Sequence, residues 1–303
     1  MMNIDSKIYK ALAEIAIIHE LSDVETMSCG HTGAFIYRCK DRIGGSKVIK
    51  IGSEPLARKE IQNNIAGYRG IASAGAADII PYYVHGEVDD FLYLLLTDLG
   101  NNVSESSKAG TLDFTSALAS MHTLFRKSIS ADIENFNQRS LQYVAEETKK
   151  YFTMALHKGM NAQAGLRALN KISFEGAYGD RSACFIADFT PDNLFFKNNN
   201  ILFIDPWEQP VYRGACMINI SQFKTLSTVI YDLPGSLKAA SAYAEVEDGL
   251  GEELGLSDYS RTFQLNLGAS LQYGLSAYNR FDTEPEYAQH LLNKGMMMLT
   301  DLL

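Results

Sequence analysis

The spacing of hydrophobic residues divides the chain into two parts. In residues 4–18, apolar side chains recur every three or four positions, which predicts an amphipathic helix. The apolar stretches that follow are short and rich in β-branched residues, as is typical of strands. Pro55 fits the first turn of a helix, and a helical period continues after it. The expected elements are strands over 34–39, 47–51, 82–88 and 91–97, and a helix over 56–68.

From residue 112 onward, most segments have a helical period. The predicted helices are 112–126, 132–156, 160–172, 216–232, 236–249, 258–279 and 284–302. A β-like stretch at 184–205 interrupts them, and the polar segment 101–110 is expected to be a linker or a surface loop. This segregation of strands and helices predicts an α+β fold with two lobes, 1–97 and 98–303, that meet near residue 97.

Composition and charge argue against several classes of protein. The 303 residues carry a formal net charge of −9, and 46% of them are hydrophobic, which is ordinary for a globular protein. The acidic balance disfavours a nucleic acid or an anionic membrane as the partner. No stretch reaches the roughly 18 apolar residues of a membrane-spanning helix. The four cysteines form no CxxC pair, so we expect reduced thiols in a cytoplasmic protein. The oligomeric state is left open.

Candidate chemistry is concentrated in the β-like stretch. Its apolar segments 194–196 and 201–204 flank a turn of three asparagines, which predicts a β-hairpin. Asp188 and Asn193 stand just before the hairpin, and Asp205 stands just after it. Because antiparallel pairing brings the two ends of a hairpin together, these three oxygen-bearing side chains are expected to converge.

Phosphoryl transfer requires this set of side chains. Mg²⁺ prefers oxygen ligands, which Asn193 and Asp205 would supply. Asp188, five residues before the asparagine, would orient the attacking hydroxyl group and accept its proton. The spacing D-x-x-x-x-N, followed by a strand and an aspartate, is that of a kinase catalytic loop and its metal-binding aspartate. The alternative interpretation is an ordinary surface hairpin with polar ends.

The segment Asp188-Phe-Thr-Pro-Asp-Asn193 resembles the catalytic loop of the aminoglycoside phosphotransferase and choline-kinase group, small-molecule kinases with a protein-kinase-like fold. Asp205-Pro-Trp stands where protein kinases have Asp-Phe-Gly, and no Ala-Pro-Glu triplet follows it, which disfavours a protein kinase. The resemblance implies Mg²⁺-dependent transfer of the γ-phosphoryl group of ATP to a hydroxyl group of a small molecule, such as an aminoglycoside, an amino alcohol or a sugar. It does not distinguish ATP from GTP.

The resemblance extends to a glycine-containing turn near the N-terminus. Residues 28–37 look like the phosphate loop of the antibiotic phosphotransferases, a short glycine turn between two strands. There, Gly30 and Gly33 would let backbone N–H groups approach a phosphate, and Thr32 would add a hydroxyl contact. A simple hairpin turn is the alternative.

Two further nucleotide contacts are implied by the same resemblance. Lys50 resembles the strand lysine that holds the α- and β-phosphates, and Glu60 on the next helix is its expected ion-pair partner. Glu54 is the competing partner, but it precedes the predicted helix. Residues 94–100 look like the hinge between the lobes, where backbone groups near Thr97 and Leu99 would bind adenine.

One position departs from the family pattern. The family usually has a histidine two residues before the catalytic aspartate, and here that position is Ile186. This departure supports an alternative hypothesis, a nucleotide-binding pseudokinase that acts as a regulatory or binding module. An acidic run in the C-terminal part is either a solvated loop or a surface that attracts a cationic acceptor. Its members are Glu245, Glu247, Asp248, Glu252, Glu253 and Asp258.

Overall fold

The computed structural model describes residues 4–29, 33–73, 77–129, 137–186, 188–197, 200–206 and 212–303. The N-terminal part consists of two helices and a five-stranded sheet. Its elements are α1 (Ile4–Ile18), β1 (Ser22–Cys29), β2 (Phe35–Lys40), β3 (Ser46–Gly52), α2 (Pro55–Ser73), β4 (Tyr83–Val88) and β5 (Phe91–Thr97). The helices and strands expected in this part are confirmed. Strand β1 is additional; its sequence is polar, and it pairs only with β2 at the edge of the sheet.

The sheet positions a lysine towards helix α2. The strand order is β1-β2-β3-β5-β4, and every neighbouring pair is antiparallel. Alternate residues of a strand point to opposite faces of the sheet. Ile49 and Ile51 pack on one face in an apolar cluster with Ile8 and Ile15 of α1. Lys50, between them, therefore points to the opposite face, where α2 lies.

The C-terminal part is mainly helical. Its elements are α3 (Val103–Lys108), α4 (Phe114–Lys127), α5 (Asn137–His157), α6 (Gln163–Leu169), β6 (Ala183–Phe185), β7 (Leu194–Lys197), β8 (Asn200–Phe203), β9 (Tyr212–Gly214), α7 (Cys216–Thr225), α8 (Ala240–Glu253), α9 (Asp258–Arg280) and α10 (Pro285–Thr300). β7 and β8 are antiparallel, with Leu194 opposite Phe203, which confirms the predicted hairpin. The seven predicted helices are also present with shifted ends, and α7 continues into one π-helical turn, Leu226–Ile230. The α+β organisation expected from the sequence is therefore confirmed.

Helix α7 lies at the centre of this part. It contributes Ile220 to an apolar cluster with α4 and α8, and Ile218 to a second cluster with α9 and α10. A helix that is buried on all sides has no solvent to satisfy its polar side chains, so each of them needs a partner within the protein. Asn219 and Gln222 of α7 are buried in this way.

The segment 101–110 is not the loop that the sequence suggested, because it contains helix α3. Asn102 and Glu105 form a capping box in which each side chain accepts a hydrogen bond from the backbone N–H of the other, at 2.8 and 3.1 Å. This arrangement satisfies two N–H groups at the start of a helix, and Val103 is buried beneath it. The polar composition of the segment concealed a helix only six residues long. No helix in the part of the chain that the structure describes combines the length and hydrophobicity needed to cross a lipid bilayer.

Candidate active site

Lys50 joins the sheet to two carboxylates. Its Nζ lies 2.5 Å from Glu60 Oε1 on α2 and 3.0 Å from Asp205 Oδ1, which follows β8. The lysine is only 4% exposed. Burial alone would lower the pKa of Lys50, but the two carboxylates outweigh it and hold the pKa above its ordinary value. The structure therefore brings together three residues that the sequence singled out, with Glu60 rather than Glu54 as the partner of the lysine.

Asn64, one turn after Glu60 on α2, connects Lys50 to the segment that carries Asp205. Its Oδ1 accepts a hydrogen bond from Lys50 Nζ at 3.0 Å, and its Nδ2 donates to the carbonyl oxygen of Pro206 at 3.1 Å. Sequence reasoning missed this residue. The signal was an asparagine on the apolar face of a predicted helix, next to Ile61 and Ile65.

Asp188 and Asn193 form one compact unit before the hairpin. Asn193 Nδ2 donates to Asp188 Oδ2 at 2.8 Å and to the Asp188 carbonyl oxygen at 3.2 Å. The backbone of Ile204 in turn donates to the carbonyl oxygen of Asn193 at 3.0 Å, which fixes the end of the hairpin beside the start. Asp188 and Asp205 have φ angles of 60° and 51°. Left-handed backbone of this kind costs energy in residues other than glycine and is frequent at functional sites.

Asp188 is the most strongly perturbed carboxyl group of the hairpin region. Burial of the carboxyl group raises its pKa to about 6, and the negative charges of Asp205 and Asp192 act in the same direction. The hydrogen bond from Asn193 opposes this rise only in part. A carboxyl group with a pKa this close to neutrality can both take up and release a proton under physiological conditions.

Asn219 of α7 holds the backbone at Ile186, the position where the related kinases have histidine. The Ile186 N–H donates to Asn219 Oδ1 at 3.0 Å, and Asn219 Nδ2 donates to the Ile186 carbonyl oxygen at 2.7 Å. Both residues are fully buried. The backbone two residues before Asp188 is thus fixed by a side chain from α7, and a side chain at position 186 itself is not needed for this. The pattern of the sequence gave no indication of the contact, which joins residues 33 positions apart.

The glycine turn between β1 and β2 is described only in part. Gly33 has a φ of 84°, which a residue with a side chain adopts only under strain, and no atom lies within 4 Å of where a Cβ would stand. Gly30 and Thr32 lie outside the described residues.

The predicted hinge follows β5. The Thr97 N–H donates to the carbonyl oxygen of Tyr82, and the Asp98 N–H donates to that of Ser46, both at 3.0 Å. The Asp98 carboxylate holds this segment further by accepting from Arg38 at 2.8 Å and from Ser46 Oγ at 2.7 Å. Of the two residues expected to contact adenine, Thr97 has its N–H already engaged, so Leu99 offers the backbone donor.

Asn193 and Asp205 fit the usual protein environment of Mg²⁺. This ion is commonly held by one or two carboxylates together with phosphates and water rather than by a complete set of protein ligands. Consistently, no three His, Cys, Asp or Glu side chains within the described ranges are grouped to hold a metal ion by themselves. The nitrogen of the Asn193 amide is used by Asp188, and one oxygen of Asp205 by Lys50. The second oxygen of each side chain can therefore face a cation.

The acidic run is not a loop, because it occupies α8 and the start of α9. Several of its carboxylates have cationic partners on the protein. Glu247 pairs with Lys224 at 2.7 Å, Glu253 pairs with Arg126 at 3.0 Å, and Asp248 and Asp258 share Arg261. None of its members lines the two cavities beside Asp188. This placement does not support a role in attracting an acceptor.

Solved structures of small-molecule kinases have a similar fold. A protein assigned as a fructosamine-3-kinase from Thermobifida fusca has a TM-score of 0.61 and 12% sequence identity, with 94% of this chain and 98% of the other covered. For a choline kinase from Streptococcus pneumoniae, the TM-score is 0.59 and the identity 12%, with 99% and 100% covered. For an ADP-bound aminoglycoside phosphotransferase, the TM-score is 0.54 and the identity 13%, with 98% and 99% covered.

The amino-acid sequence matches no protein-family model, and no curated protein is similar to it. The similarity to the solved structures is therefore one of fold, and it extends over nearly the whole of each chain. It confirms the fold that the resemblance of the catalytic loop predicts. The chain has the bilobal, protein-kinase-like fold of small-molecule kinases.

Proposed function

We propose that this protein is a kinase that transfers the γ-phosphoryl group of ATP, with Mg²⁺, to a hydroxyl group of a small molecule. The observation that supports this most directly is the contact of Lys50 with both Glu60 and Asp205, which joins the sheet, α2 and the hairpin at one point. Asp188 and Asn193 lie at the start of the same hairpin. The chain thus supplies a candidate group for each task of phosphoryl transfer.

Asp188 is the proposed catalytic base. It accepts the proton of the acceptor hydroxyl group as that oxygen forms its bond to the γ-phosphorus. The bond between the γ-phosphorus and the β–γ bridging oxygen breaks, and ADP leaves with the electron pair. Asn193 holds Asp188 Oδ2 through its amide nitrogen, which fixes the orientation of the carboxylate towards the acceptor.

Asn193 and Asp205 are the proposed Mg²⁺ ligands, and Lys50 is the proposed contact to the α- and β-phosphates. When bound, Mg²⁺ would neutralise charge on the phosphate oxygens. Glu60 and Asn64 hold the lysine in position for this contact. Gly33, together with Gly30 and Thr32, is proposed to approach the phosphates.

The base of the nucleotide is proposed to bind the backbone at Leu99 and Thr97. Contacts to the backbone alone do not select adenine over guanine, so the proposal covers GTP as well as ATP. Consumption of a nucleoside triphosphate is consistent with the cytoplasmic location expected from the sequence.

A nucleotide-binding pseudokinase is the alternative that Ile186 suggested. The reason for it was the loss of a side chain that braces the catalytic loop. Asn219 now provides two hydrogen bonds to the backbone at that position, and the pKa of Asp188 lies in a range suited to a base. Both observations favour the enzyme.

The experiment combines nucleotide binding with product detection. Wild-type protein is incubated with Mg²⁺ and ATP, or GTP, and with choline, ethanolamine, an aminoglycoside or a fructosamine, and phosphorylated products are sought by mass spectrometry. We expect product with the wild type and at least ~10²-fold less with Asp188→Asn. Tight binding of Mg²⁺ and ATP without a phosphorylated product from this panel or from a small-molecule extract would favour the binding module.

A further inference from the structure

Two cavities meet at Asp188. The larger, of about 490 Å³, includes Thr190, Asp192 and Arg280 in its lining, and the smaller, of about 170 Å³, includes Tyr143, Glu147 and Tyr151. Asp188, Gln272 and Leu275 line both. A molecule whose hydroxyl group lies at Asp188 would therefore occupy one cavity or both, and it would pass Gln272 of α9 in either case.

Gln272 has an unused acceptor at this boundary. The side chain is buried, with the residue 2% exposed, and within the described ranges no donor lies at hydrogen-bonding distance from Gln272 Oε1. An amide oxygen without a partner is costly to bury, so such a group in a cavity wall indicates a donor supplied by a ligand. Ligand hydroxyl and ammonium groups are such donors.

The charges around the cavities indicate which donor it is. Glu147 is paired with Lys150 at 2.9 Å, and Arg280 is engaged by Glu284 and by the carbonyl oxygen of Ile230, at 3.4 and 3.2 Å. No lysine, arginine or histidine of the described part of the chain forms an ion pair with either of the remaining carboxylates, which belong to Asp188 and Asp192. The uncompensated charge at the boundary is thus negative, and it would repel an anionic acceptor.

The smaller cavity adds aromatic surface. Tyr143, Tyr151 and Phe185 contribute to its lining, and aromatic faces attract organic cations. The ring of Tyr151 already has the Lys150 ammonium group 5.1 Å from its centroid, which shows that a cation is accommodated at this ring.

We infer that the acceptor is a hydroxylated organic cation that binds across the boundary between the two cavities, and that Gln272 Oε1 accepts a hydrogen bond from it. This inference rests on the proposed kinase function and adds the charge class of the acceptor and a residue that selects it. Gln272 acts in binding the acceptor, and the transfer of the proton remains with Asp188.

The chain provides a matched control on the same helix. Gln264 is two turns before Gln272 on α9, is 3% exposed and likewise has an unpartnered Oε1, judged on the described residues. It lines neither of the two cavities. Gln264→Met and Gln272→Met therefore make the same chemical change at similar burial, and only one of them alters the proposed site. Gln272→Glu keeps an acceptor oxygen and is the conservative variant.

The test uses equilibrium binding to the full chain, so that turnover is not required. Isothermal titration calorimetry is carried out with Mg²⁺ and a non-hydrolysable ATP analogue present. The probes are two pairs that differ in charge: choline with 3,3-dimethylbutan-1-ol, and glucosamine with glucose. We expect the cationic member of at least one pair to bind about tenfold or more tightly than its neutral partner. Gln272→Met should remove most of that preference, whereas Gln272→Glu and Gln264→Met should retain it.

The outcomes separate the two proposals. Failure of the wild type to bind the ATP analogue would overturn the proposed function itself. Normal binding of the analogue with no cation preference in either pair, or with no probe bound, would overturn only the inference about the acceptor. Equal losses in Gln272→Met and Gln264→Met would assign the effect to the packing of α9 and would also overturn it. The comparison of probes on the wild type holds even if Gln272→Met does not fold.

Discussion

Gly67 of α2 lies directly against Pro206, so closely that a Cβ atom on Gly67 would stand 2.5 Å from the Cβ of the proline. The contact seats α2 on the segment that follows Asp205. Since Glu60 and Asn64 belong to the same helix, the distance between α2 and this segment also sets how Lys50 meets Asp205.

Gly67→Ala should therefore destabilise the protein and weaken binding of Mg²⁺ and ATP, because the helix and the segment must move apart to admit the methyl group. Overpacking of this kind costs about 1–3 kcal/mol. Thermal unfolding with and without nucleotide measures both effects. Gly70→Ala, one turn further along α2, makes the same change in helix propensity and serves as the control. A loss of equal size in the control would show that the contact with Pro206 is not the cause.

The raised pKa of Asp188 predicts a pH-dependent rate. The base must be ionised to accept a proton, so kcat/KM for the acceptor should rise with pH and level off above about 6. Asp188→Asn should lower turnover by at least ~10²-fold and leave nucleotide affinity within a few-fold of the wild type. Measurement of kcat/KM from pH 5 to 8 tests the first statement. A profile that is flat through pH 6 would contradict the assignment of Asp188 as the base.

The same shift predicts an effect on stability. A carboxyl group whose pKa is raised in the folded state favours folding in its protonated form. This contribution is present below the ordinary pKa of about 4 and is lost as the pH rises through about 6. Asp188→Asn removes the titrating group, so it should raise Tm relative to the wild type at pH 8 by more than at pH 4. Calorimetry at both pH values, with the exposed Asp301→Asn as control, measures the difference. A Tm difference that does not vary with pH would contradict the prediction.

Asp205→Ala should reduce the dependence of ATP affinity on Mg²⁺. The substitution removes the carboxylate that we propose as a metal ligand, and it also frees Lys50 from one of its two carboxylate partners. Titration of ATP with and without Mg²⁺ separates these effects, because the loss of the ligand appears only when the metal is present. If the variant keeps the Mg²⁺ dependence of the wild type, Asp205 is not the metal carboxylate.

Asn219→Leu should lower turnover by more than tenfold while nucleotide affinity stays near that of the wild type. The leucine leaves both the N–H and the carbonyl oxygen of Ile186 buried without a partner, which costs about 1–3 kcal/mol for each group and releases the segment before Asp188. Asn266→Leu, which removes a single hydrogen bond to the carbonyl oxygen of Met298, is the control. Full activity in Asn219→Leu would mean that the loop is positioned by other contacts.

Local patterns predicted much of this molecule. The alternation around Lys50 indicated a strand with its lysine on the face opposite Ile49, and the two apolar segments around the asparagine turn indicated the hairpin. The spacing of Asp188, Asn193 and Asp205 then predicted the convergence that the structure shows, because the pairing of adjacent strands depends only on nearby residues.

The missed residues share a physical cause. Asn64, Asn219 and Gln272 are polar residues on helices whose apolar periodicity dominates, and each matters through an atom far away in the sequence or through a cavity. No local pattern contains that information. The capping box of Asn102 and Glu105 is different, since its spacing was readable, and the short polar helix α3 was missed because composition was given more weight than the cap.

The bonds from Asn219 to Ile186 also have a consequence for the order of assembly. The loop that carries Asp188 precedes α7 in the chain, and α7 is itself enclosed by α9, which ends at residue 280. During synthesis, the loop therefore emerges before the side chain that fixes it, and that side chain gains its buried position only after α9 has emerged. A chain interrupted before α9 would carry every residue of the hairpin and still lack the support that orients its first aspartate.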